Sequence, residues 1–407
     1  MFFGRFLSVP AMAAAVVAPT SIANRSPAPT LNVAQRPVPT SASTSGSAKP
    51  VEAGRVAYLL RGSAYVESFL ATSPAVALPL SGKATWVSLA SNGRAVYGSA
   101  NGVRMADPPY RSAKAVALPP AAGVPLSGAL TRDGKQLGLH FEKQTALLDL
   151  ASGRYTVVPF DDLSGDATVR AYTGRNDNDY NDLFLETSTT APPRPVFTIA
   201  ARDRVFAALR AQRSPAATKI ADDHQGSAVT EGSEWLTGRP ALAPDGEALY
   251  WTTNLGGGAG AAGNTEWLIM KTDVTSGRTI GLTRTGIELG RMPDLEVSAD
   301  GRKLLATWSI HSSAVENPVA NEVIDLASQR VTHLSHRGTN KNDVNIQDGQ
   351  CWAADSTHMA YSGYYYDPSA IDPTADPKPE RFTLFFKDVA TNKTLRIIDG
   401  ATRPSCA

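Results

Sequence analysis

The sequence predicts an all-β fold, a single β-propeller of seven blades with four antiparallel strands each, with six or eight blades as alternatives. Two repeated patterns predict it: a strand pair joined by an Asp-Gly turn or a close variant, and a later pair joined by a D-x-x-[ST]-G-type turn. Four strands per unit of about 40 to 55 residues are typical of a propeller blade. A blade cannot bury both faces alone, so neighbouring blades must stack and the ring must close.

The first pattern occurs five times along the chain. The occurrences are LASNGRAVYGSA (89–100), LTRDGKQLGLHF (130–141), LAPDGEALYWTT (242–253), VSADGRKLLATW (297–308) and WAADSTHMAYSG (352–363). Asx-Gly between two strand-like runs is a strong hairpin signal, because both residues tolerate positive φ. Successive turns are 41, 112, 55 and 55 residues apart, so the long interval indicates one degenerate unit.

Seven units result from this spacing. They are expected to start near Gly54, Gly82, Gly123, Gly165, Trp235, Gly290 and Val344. The first unit lacks the Asp-Gly turn, and a strand from the other terminus is expected to complete it. The fourth unit, from Asp166 to about Asp223, is expected to lack the turn as well.

The N-terminal region predicts export. Residues 1–23 resemble a signal peptide, with one charge at Arg5, an apolar run and small residues before Asn24; a merely apolar, disordered start is the alternative. Residues 24–53 are a predicted disordered linker rich in Pro, Ser and Ala, and 54–407 form the predicted propeller. We therefore expect a secreted or periplasmic protein, in which Cys351 and Cys406 are candidates for a disulfide.

Composition excludes several classes of partner. A net charge of +1 gives no reason to expect nucleic acid. The N-terminal apolar run is too short for a membrane span, and the oligomeric state stays open.

The segment GAGAAG (258–263) satisfies G-x-G-x-x-G, but strand and hairpin residues follow it. A dinucleotide fingerprint must open a helix, so a connection between two strands of one blade is the better interpretation.

The sequence predicts no cofactor, with Ca²⁺ as the one candidate. Asp177, Asp179 and Asp182 supply three carboxylates at short spacing, which suits a hard cation. The segment lacks the Gly and the distal Glu of an EF-hand, and a solvated acidic turn is the alternative.

Candidate ligand-binding residues lie in the strand that precedes each Asp-Gly turn, because this strand lines the central channel of a propeller. Polar residues at its entrance face the common ligand site of the architecture. The candidates are Trp86, Glu234, Arg239, Arg291, Asp294, Glu296, Asn345 and Asp348, with Ser88, Ser127 and Gln347 in the same segments. Arginines mixed with carboxylates would suit a polar peptide or a sugar; channel residues that only pair with one another are the alternative.

The two turn patterns together resemble the TolB-like (PD40) propeller repeat, in about four of the seven units. The segment FLETSTTAPPRPVFTI (184–199) also resembles a blade from the propellers of prolyl-oligopeptidase-like peptidases. Those enzymes carry a separate α/β-hydrolase domain, whereas this sequence has no G-x-S-x-G nucleophile motif. The resemblance therefore implies a free-standing propeller and argues against peptidase activity, while the fold alone does not carry a function.

Two functions are consistent with these patterns. The first is a non-catalytic propeller that binds a protein, peptide or glycan at the channel mouth. The alternative is a polysaccharide lyase or glycoside hydrolase, which needs either two convergent carboxylates or a His, Tyr and Arg constellation. His311, Tyr364 to Tyr366 and Arg381 are the residues that supply the second set.

Overall fold

The computed structural model describes residues 53–80, 82–119, 123–175, 181–187, 192–198, 240–253, 267–285, 290–310, 319–334, 344–365 and 382–407. Their 28 strands form seven four-stranded sheets, and every strand pair within a sheet is antiparallel. This confirms the predicted propeller of seven blades, which are numbered I to VII from the N-terminal strands. Among the described residues there is no helix that is long and apolar enough to cross a membrane.

Each blade runs from an innermost strand beside the channel to an outermost strand at the rim. Blade I contains, in this order, β28 (Ala401–Cys406), β1 (Arg55–Leu60), β2 (Ser63–Ser68) and β3 (Val76–Ala77). Blade II contains β4 (Ala84–Leu89), β5 (Ala95–Ser99), β6 (Gly102–Ala106) and β7 (Lys114–Ala115). Blade III contains β8 (Ser127–Leu130), β9 (Gln136–His140), β10 (Thr145–Asp149) and β11 (Tyr155–Val157). Blade IV contains β12 (Asp162–Leu163), β13 (Arg170–Arg175), β14 (Asn181–Glu186) and β15 (Arg194–Phe197).

The remaining three blades follow the same order. Blade V contains β16 (Ala241–Leu242), β17 (Ala248–Thr253), β18 (Trp267–Asp273) and β19 (Thr279–Thr285). Blade VI contains β20 (Gly290–Val297), β21 (Lys303–Ile310), β22 (Val319–Asp325) and β23 (Val331–Leu334). Blade VII contains β24 (Val344–Trp352), β25 (His358–Tyr365), β26 (Phe382–Asp388) and β27 (Lys393–Asp399). The GAGAAG segment lies outside the described residues, and the flanking strands β17 and β18 are antiparallel neighbours, as a strand-to-strand connection requires.

Both ends of the described chain close the ring in blade I. The C-terminal strand β28 is its innermost strand and pairs with β1, as the sequence predicts for the incomplete first unit. The closure is extended by two backbone hydrogen bonds between Arg55 and Ala407, with N–O distances of 2.7 and 2.9 Å. Cys351 of β24 and Cys406 of β28 form a disulfide, which joins blade VII to blade I.

An aspartate or asparagine fixes the turn between the first two strands of blades II to VII. Its Oδ1 accepts the backbone N–H two residues later at 2.9 to 3.0 Å; the six residues are Asn92, Asp133, Asp166, Asp245, Asp300 and Asp355. The fourth unit therefore has the turn that the sequence interpretation denied it. Ala167 occupies the place of the usual glycine and takes a φ of 58°. Because this residue is not glycine, the sequence pattern does not reveal the turn, although the backbone adopts the turn conformation.

Apolar clusters fill the spaces between adjacent blades. One cluster packs Trp86 of β4 in blade II against Leu137 and Leu139 of β9 in blade III. The Trp86 side chain is 3% exposed, and its Nε1–H donates to the Pro125 carbonyl oxygen at 3.3 Å. The ring lies over Gly128, where an added Cβ would come within 2.6 Å of Trp86 Cη2. The indole therefore depends on the absence of a side chain at residue 128.

Substitution Gly128→Ala is expected to destabilise the protein by about 1–3 kcal/mol, because the new methyl group overpacks the indole site. Urea unfolding measures the change. The control is the double-mutant cycle with Trp86→Leu: in the leucine background the same Gly128→Ala substitution should cost much less. An equal cost in both backgrounds would show that the glycine serves another purpose.

Candidate functional site

The inner strands of the seven blades carry one equivalent position that faces the central channel. In blades II to VII it lies four residues before the Asp or Asn of the following turn. In blade I, Ser405 of β28 makes the equivalent contact. The residues in ring order are Ser405, Ser88, Ala129, Asp162, Ala241, Glu296 and Cys351.

Polar side chains at this position join one blade to the next. Ser405 Oγ accepts the Leu89 N–H at 3.0 Å, and Ser88 Oγ accepts the Leu130 N–H at 2.9 Å. Two carboxyl groups make the same link, shown by Asp162 Oδ2 to Leu242 N at 2.6 Å and Glu296 Oε1 to Trp352 N at 3.1 Å. Serine hydroxyl groups thus accept the backbone N–H of the next blade in blades I and II, and carboxyl groups accept it in blades IV and VI.

These two carboxyl groups lie in surroundings that disfavour their ionised forms. Burial raises the pKa of Asp162 to about 7; the N–H groups of Leu242 and Leu163 oppose this shift, and the charge of Asp161 adds to it. Burial likewise raises the pKa of Glu296 to about 8, with an additional contribution from the charge of Asp162. Near neutral pH the two carboxyl groups are therefore partly protonated. The pair then offers both O–H donors and carboxylate acceptors.

The two carboxyl groups line a cavity of about 570 Å³ in the channel. Its wall includes the turn residues Ser91, Arg132, Gly165, Pro244, Ala299 and Ala354, so the cavity reaches the face of the ring on which these turns lie. We call this face the turn face. Deeper in the channel the wall contains His140, Phe160, Asp161, Thr307 and Gln350. The space between Asp162 and Glu296 along the ring belongs to blade V, whose equivalent residue, Ala241, has only a methyl side chain.

Neither Asp162 nor Glu296 has an ion-pair partner among the described residues. The buried pair Arg170–Glu186 in blade IV shows the contrast, since there each charge meets its opposite. Burying a carboxyl group without a cation is unfavourable. The ring does not require it either, because serine makes the same link in blades I and II. The two carboxyl groups are therefore the candidate functional groups of the channel.

The predicted site residues are placed as follows. Glu296 lines the cavity. Trp86 lies in an inner strand but is buried between blades II and III, so it does not reach the channel. Its indole ring packs over Gly128, which has no side chain. The structure places Arg291, Asp294, Asn345 and Asp348 on inner strands β20 and β24 without describing their side chains, and Glu234 and Arg239 lie outside the described residues.

The predicted metal ligands are only partly within the described residues. Asp177 and Asp179 lie outside them, and Asp182 is in β14, opposite Gly174 of β13. In the described part of the chain there is no group of three or more His, Cys, Asp or Glu side chains that could hold a metal ion. Of the predicted lyase set, His311, Tyr366 and Arg381 also fall outside the described residues, while Tyr364 and Tyr365 are in β25.

Sequence reasoning missed Asp162, although a signal was present. Glu296 lies four residues before Asp300, and Asp162 lies four residues before Asp166. Alignment of the units on the turn aspartate would have shown two acidic residues at a position that is otherwise Ser, Ala or Cys. The alignment failed because the fourth unit has Ala167 where the pattern expects glycine.

The fold and the cavity define a ring-closed β-propeller with a polar central channel. No protein-family model matches the sequence, and a search of curated proteins gives no match. The tricorn protease structure matches with a TM-score of 0.53 and 12% identity, over 87% of this chain and 34% of that one. This chain thus spans about a third of that protein's length, and the match shows the propeller fold alone.

Two TolB structures are also similar. TolB from Acinetobacter baumannii has a TM-score of 0.44 and 16% identity, over 86% of this chain and 66% of that chain. A putative TolB from Agrobacterium tumefaciens has a TM-score of 0.40 and 16% identity, over 72% of this chain and 87% of that chain. TolB proteins, whose repeat the sequence resembles, are therefore among the structural neighbours of this propeller.

Proposed function

We propose that this protein is an exported, non-catalytic β-propeller that binds a polar ligand in its central channel, namely a segment of a protein, a peptide or a glycan. The observation that carries the proposal is the pair Asp162 and Glu296 in a cavity of about 570 Å³. Both side chains occupy a ring position where serine makes the same link in blades I and II. A few convergent polar groups in a concave site are the usual features of a ligand pocket.

The chemistry of the pair defines the ligand groups that fit. A protonated carboxyl group donates a hydrogen bond, and an ionised one accepts hydrogen bonds or pairs with a cation. Hydroxyl groups, amides and ammonium groups can all form hydrogen bonds or ion pairs with such a pair, and glycans and peptides carry these groups. The N-terminal signal pattern supports an extracytoplasmic location, secreted or periplasmic, for this binding.

The test uses the purified chain on peptide and glycan arrays, followed by titration calorimetry with any ligand found. Asp162→Asn and Glu296→Gln keep the side-chain size and remove the ionisable group. Each is expected to weaken binding about tenfold or more, as the loss of a hydrogen bond to a charged group does. Glu142→Gln is the matched control, because Glu142 is an exposed carboxylate outside the cavity.

Two outcomes would move the site. Unchanged affinity in both channel variants contradicts binding at the carboxyl pair. If Arg239→Ala combined with Arg291→Ala weakens binding instead, the ligand contacts these two residues, which the sequence predicts, rather than the carboxyl pair.

A glycoside hydrolase is the second candidate, and the same pair of carboxyl groups favours it. Hydrolysis of a glycosidic bond needs one protonated and one ionised carboxyl group, and burial raises the pKa of both groups so that the pair can keep a proton near neutral pH. An assay for new reducing ends on a panel of polysaccharides distinguishes it from the binding protein. Turnover that disappears in both Asp162→Asn and Glu296→Gln would replace the non-catalytic proposal.

A further inference from the structure

A chain of backbone hydrogen bonds links the turns of neighbouring blades on the turn face. In blades II, III and IV, the residue before the turn Asp or Asn donates its N–H to the carbonyl oxygen of the equivalent residue in the next blade. The contacts are Ser91 N to Arg132 O at 3.0 Å, Arg132 N to Gly165 O at 2.8 Å and Gly165 N to Pro244 O at 3.0 Å. They run without interruption from blade II to blade V.

The chain stops at Pro244 for a chemical reason. Proline has no backbone N–H, so blade V cannot donate to Ala299, the equivalent residue of blade VI. The Ala299 carbonyl oxygen receives a different donor: Arg132 Nη1 of blade III lies 2.7 Å from it. A side chain from a distant blade thus replaces the missing backbone donor.

This hydrogen bond crosses the opening of the cavity. Blades IV and V lie between blades III and VI in the ring, and Arg132 and Ala299 both line the cavity. The Arg132 side chain therefore spans the sector of the opening that belongs to Asp162 of blade IV and Ala241 of blade V, and it ends at blade VI, which carries Glu296. A ligand that enters from the turn face toward the two carboxyl groups meets this side chain first.

We propose that Arg132 is a latch, which closes the turn-face opening of the channel by its hydrogen bond to Ala299 and must release that bond before a ligand reaches Asp162 and Glu296. The inference rests on the proposed function, because it concerns entry to the same site. The latch is suited to opening, since the guanidinium group is exposed and holds a neutral carbonyl rather than a carboxylate. Release costs one hydrogen bond and leaves the ring of blades intact.

Entry can be measured without any ligand through a single thiol in the channel. Ala241 lines the cavity in the blade V sector that the Arg132 side chain spans, it is buried while the hydrogen bond to Ala299 is in place, and the two native cysteines are joined in a disulfide. The Ala241→Cys chain therefore has one free thiol, and its reaction with the neutral reagent 4,4′-dithiodipyridine is followed by absorbance. Reaction rates are compared in the Ala241→Cys background alone and with a second substitution.

Arg132→Ala removes the latch, and Pro244→Ala gives blade V a backbone N–H that competes with Arg132 for the Ala299 oxygen. Each is expected to raise the reaction rate about three- to tenfold, the range for loss of one ordinary hydrogen bond, because exposure to solvent screens the charge of the guanidinium group. Arg302→Ala is the matched control, because Arg302 is an exposed arginine on the turn of blade VI that lies outside the cavity wall.

Electrostatics cannot imitate this result. Loss of the Arg132 charge raises the pKa of a nearby thiol and slows its reaction, because the thiolate is the nucleophile. Pro244→Ala changes no charge. Equal rates in the parent, Arg132→Ala and Pro244→Ala chains would overturn the latch, as would an equal acceleration by Arg302→Ala. Since no ligand takes part, failure of the latch leaves the array and calorimetry tests of the proposed function to decide separately.

Discussion

Removal of the Cys351–Cys406 disulfide is expected to lower the free energy of unfolding by about 4 kcal/mol. The two cysteines are 55 residues apart in the sequence, and the chain-entropy relation for a loop of that length gives this magnitude. The cross-link joins inner strands β24 and β28 of blades VII and I. It therefore acts at the point where the ring closes, on the strand that completes blade I.

The measurement is urea unfolding of the double variant Cys351→Ala with Cys406→Ala against the oxidised parent. Cys351 is buried, so alanine is preferable to serine, which would bury a hydroxyl group. Treatment with dithiothreitol provides the control: it should destabilise the parent by a similar amount and leave the double variant unchanged. A loss below about 1 kcal/mol would mean that β28 holds blade I closed through its strand pairing alone.

Much of this fold could be predicted from local chemistry that recurs in the sequence. The turn aspartates give a direct reason for the hairpins, since each side chain accepts the same backbone N–H. The second pattern is equally local: Asp149, Asp273 and Asp325 each accept the N–H and the hydroxyl of a serine three residues later. Such motifs depend on short-range contacts, so single units reveal them.

The candidate site could be predicted only in part because it depends on which side chains the closed ring brings together. Glu296 was predicted from its place in an inner strand, and it lines the cavity. Trp86 occupies a similar strand, yet its indole turns into the space over Gly128, a residue of the next blade. The hydrogen bond between Arg132 and Ala299 spans 167 residues, at a place in the ring where Pro244 has no backbone N–H to donate. No local pattern contains that contact.

The second large effect concerns the pH dependence of stability, which Asp162 and Glu296 are expected to dominate. Their pKa values rise from 3.8 to about 7 and from 4.5 to about 8 on folding. Between these limits the folded protein binds more protons than the unfolded chain, so the free energy of unfolding falls as pH rises from about 4 to about 8. With 1.36 kcal/mol for each pKa unit, shifts of about 3 units correspond to at most about 4–5 kcal/mol of this decline for each carboxyl group.

Asp162→Asn with Glu296→Gln should therefore raise the free energy of unfolding at pH 8 and change it little at pH 4. Both replacements keep an oxygen that accepts the N–H of Leu242 or Trp352, so the links between blades remain. Asp162→Ala separates the two roles of the carboxyl group: it removes the charge and also the acceptor, and the unsatisfied Leu242 N–H should cost about 1–3 kcal/mol at every pH. Guanidinium chloride unfolding at pH 4, 6 and 8 distinguishes these patterns.

The direction of this result bears on function. If the amide variants are more stable than the parent at neutral pH, the parent keeps two carboxyl groups at a cost to stability that Ser88 and Ser405 show to be avoidable. Groups retained in that way are characteristic of binding and catalytic sites, where the chemistry of the ligand needs them. Parallel stability curves for the parent and the amide variants across the pH range would instead mean that both carboxyl groups titrate as they do in water. The channel would then hold no carboxyl groups with raised pKa values, and both functions proposed for it would lose their main support.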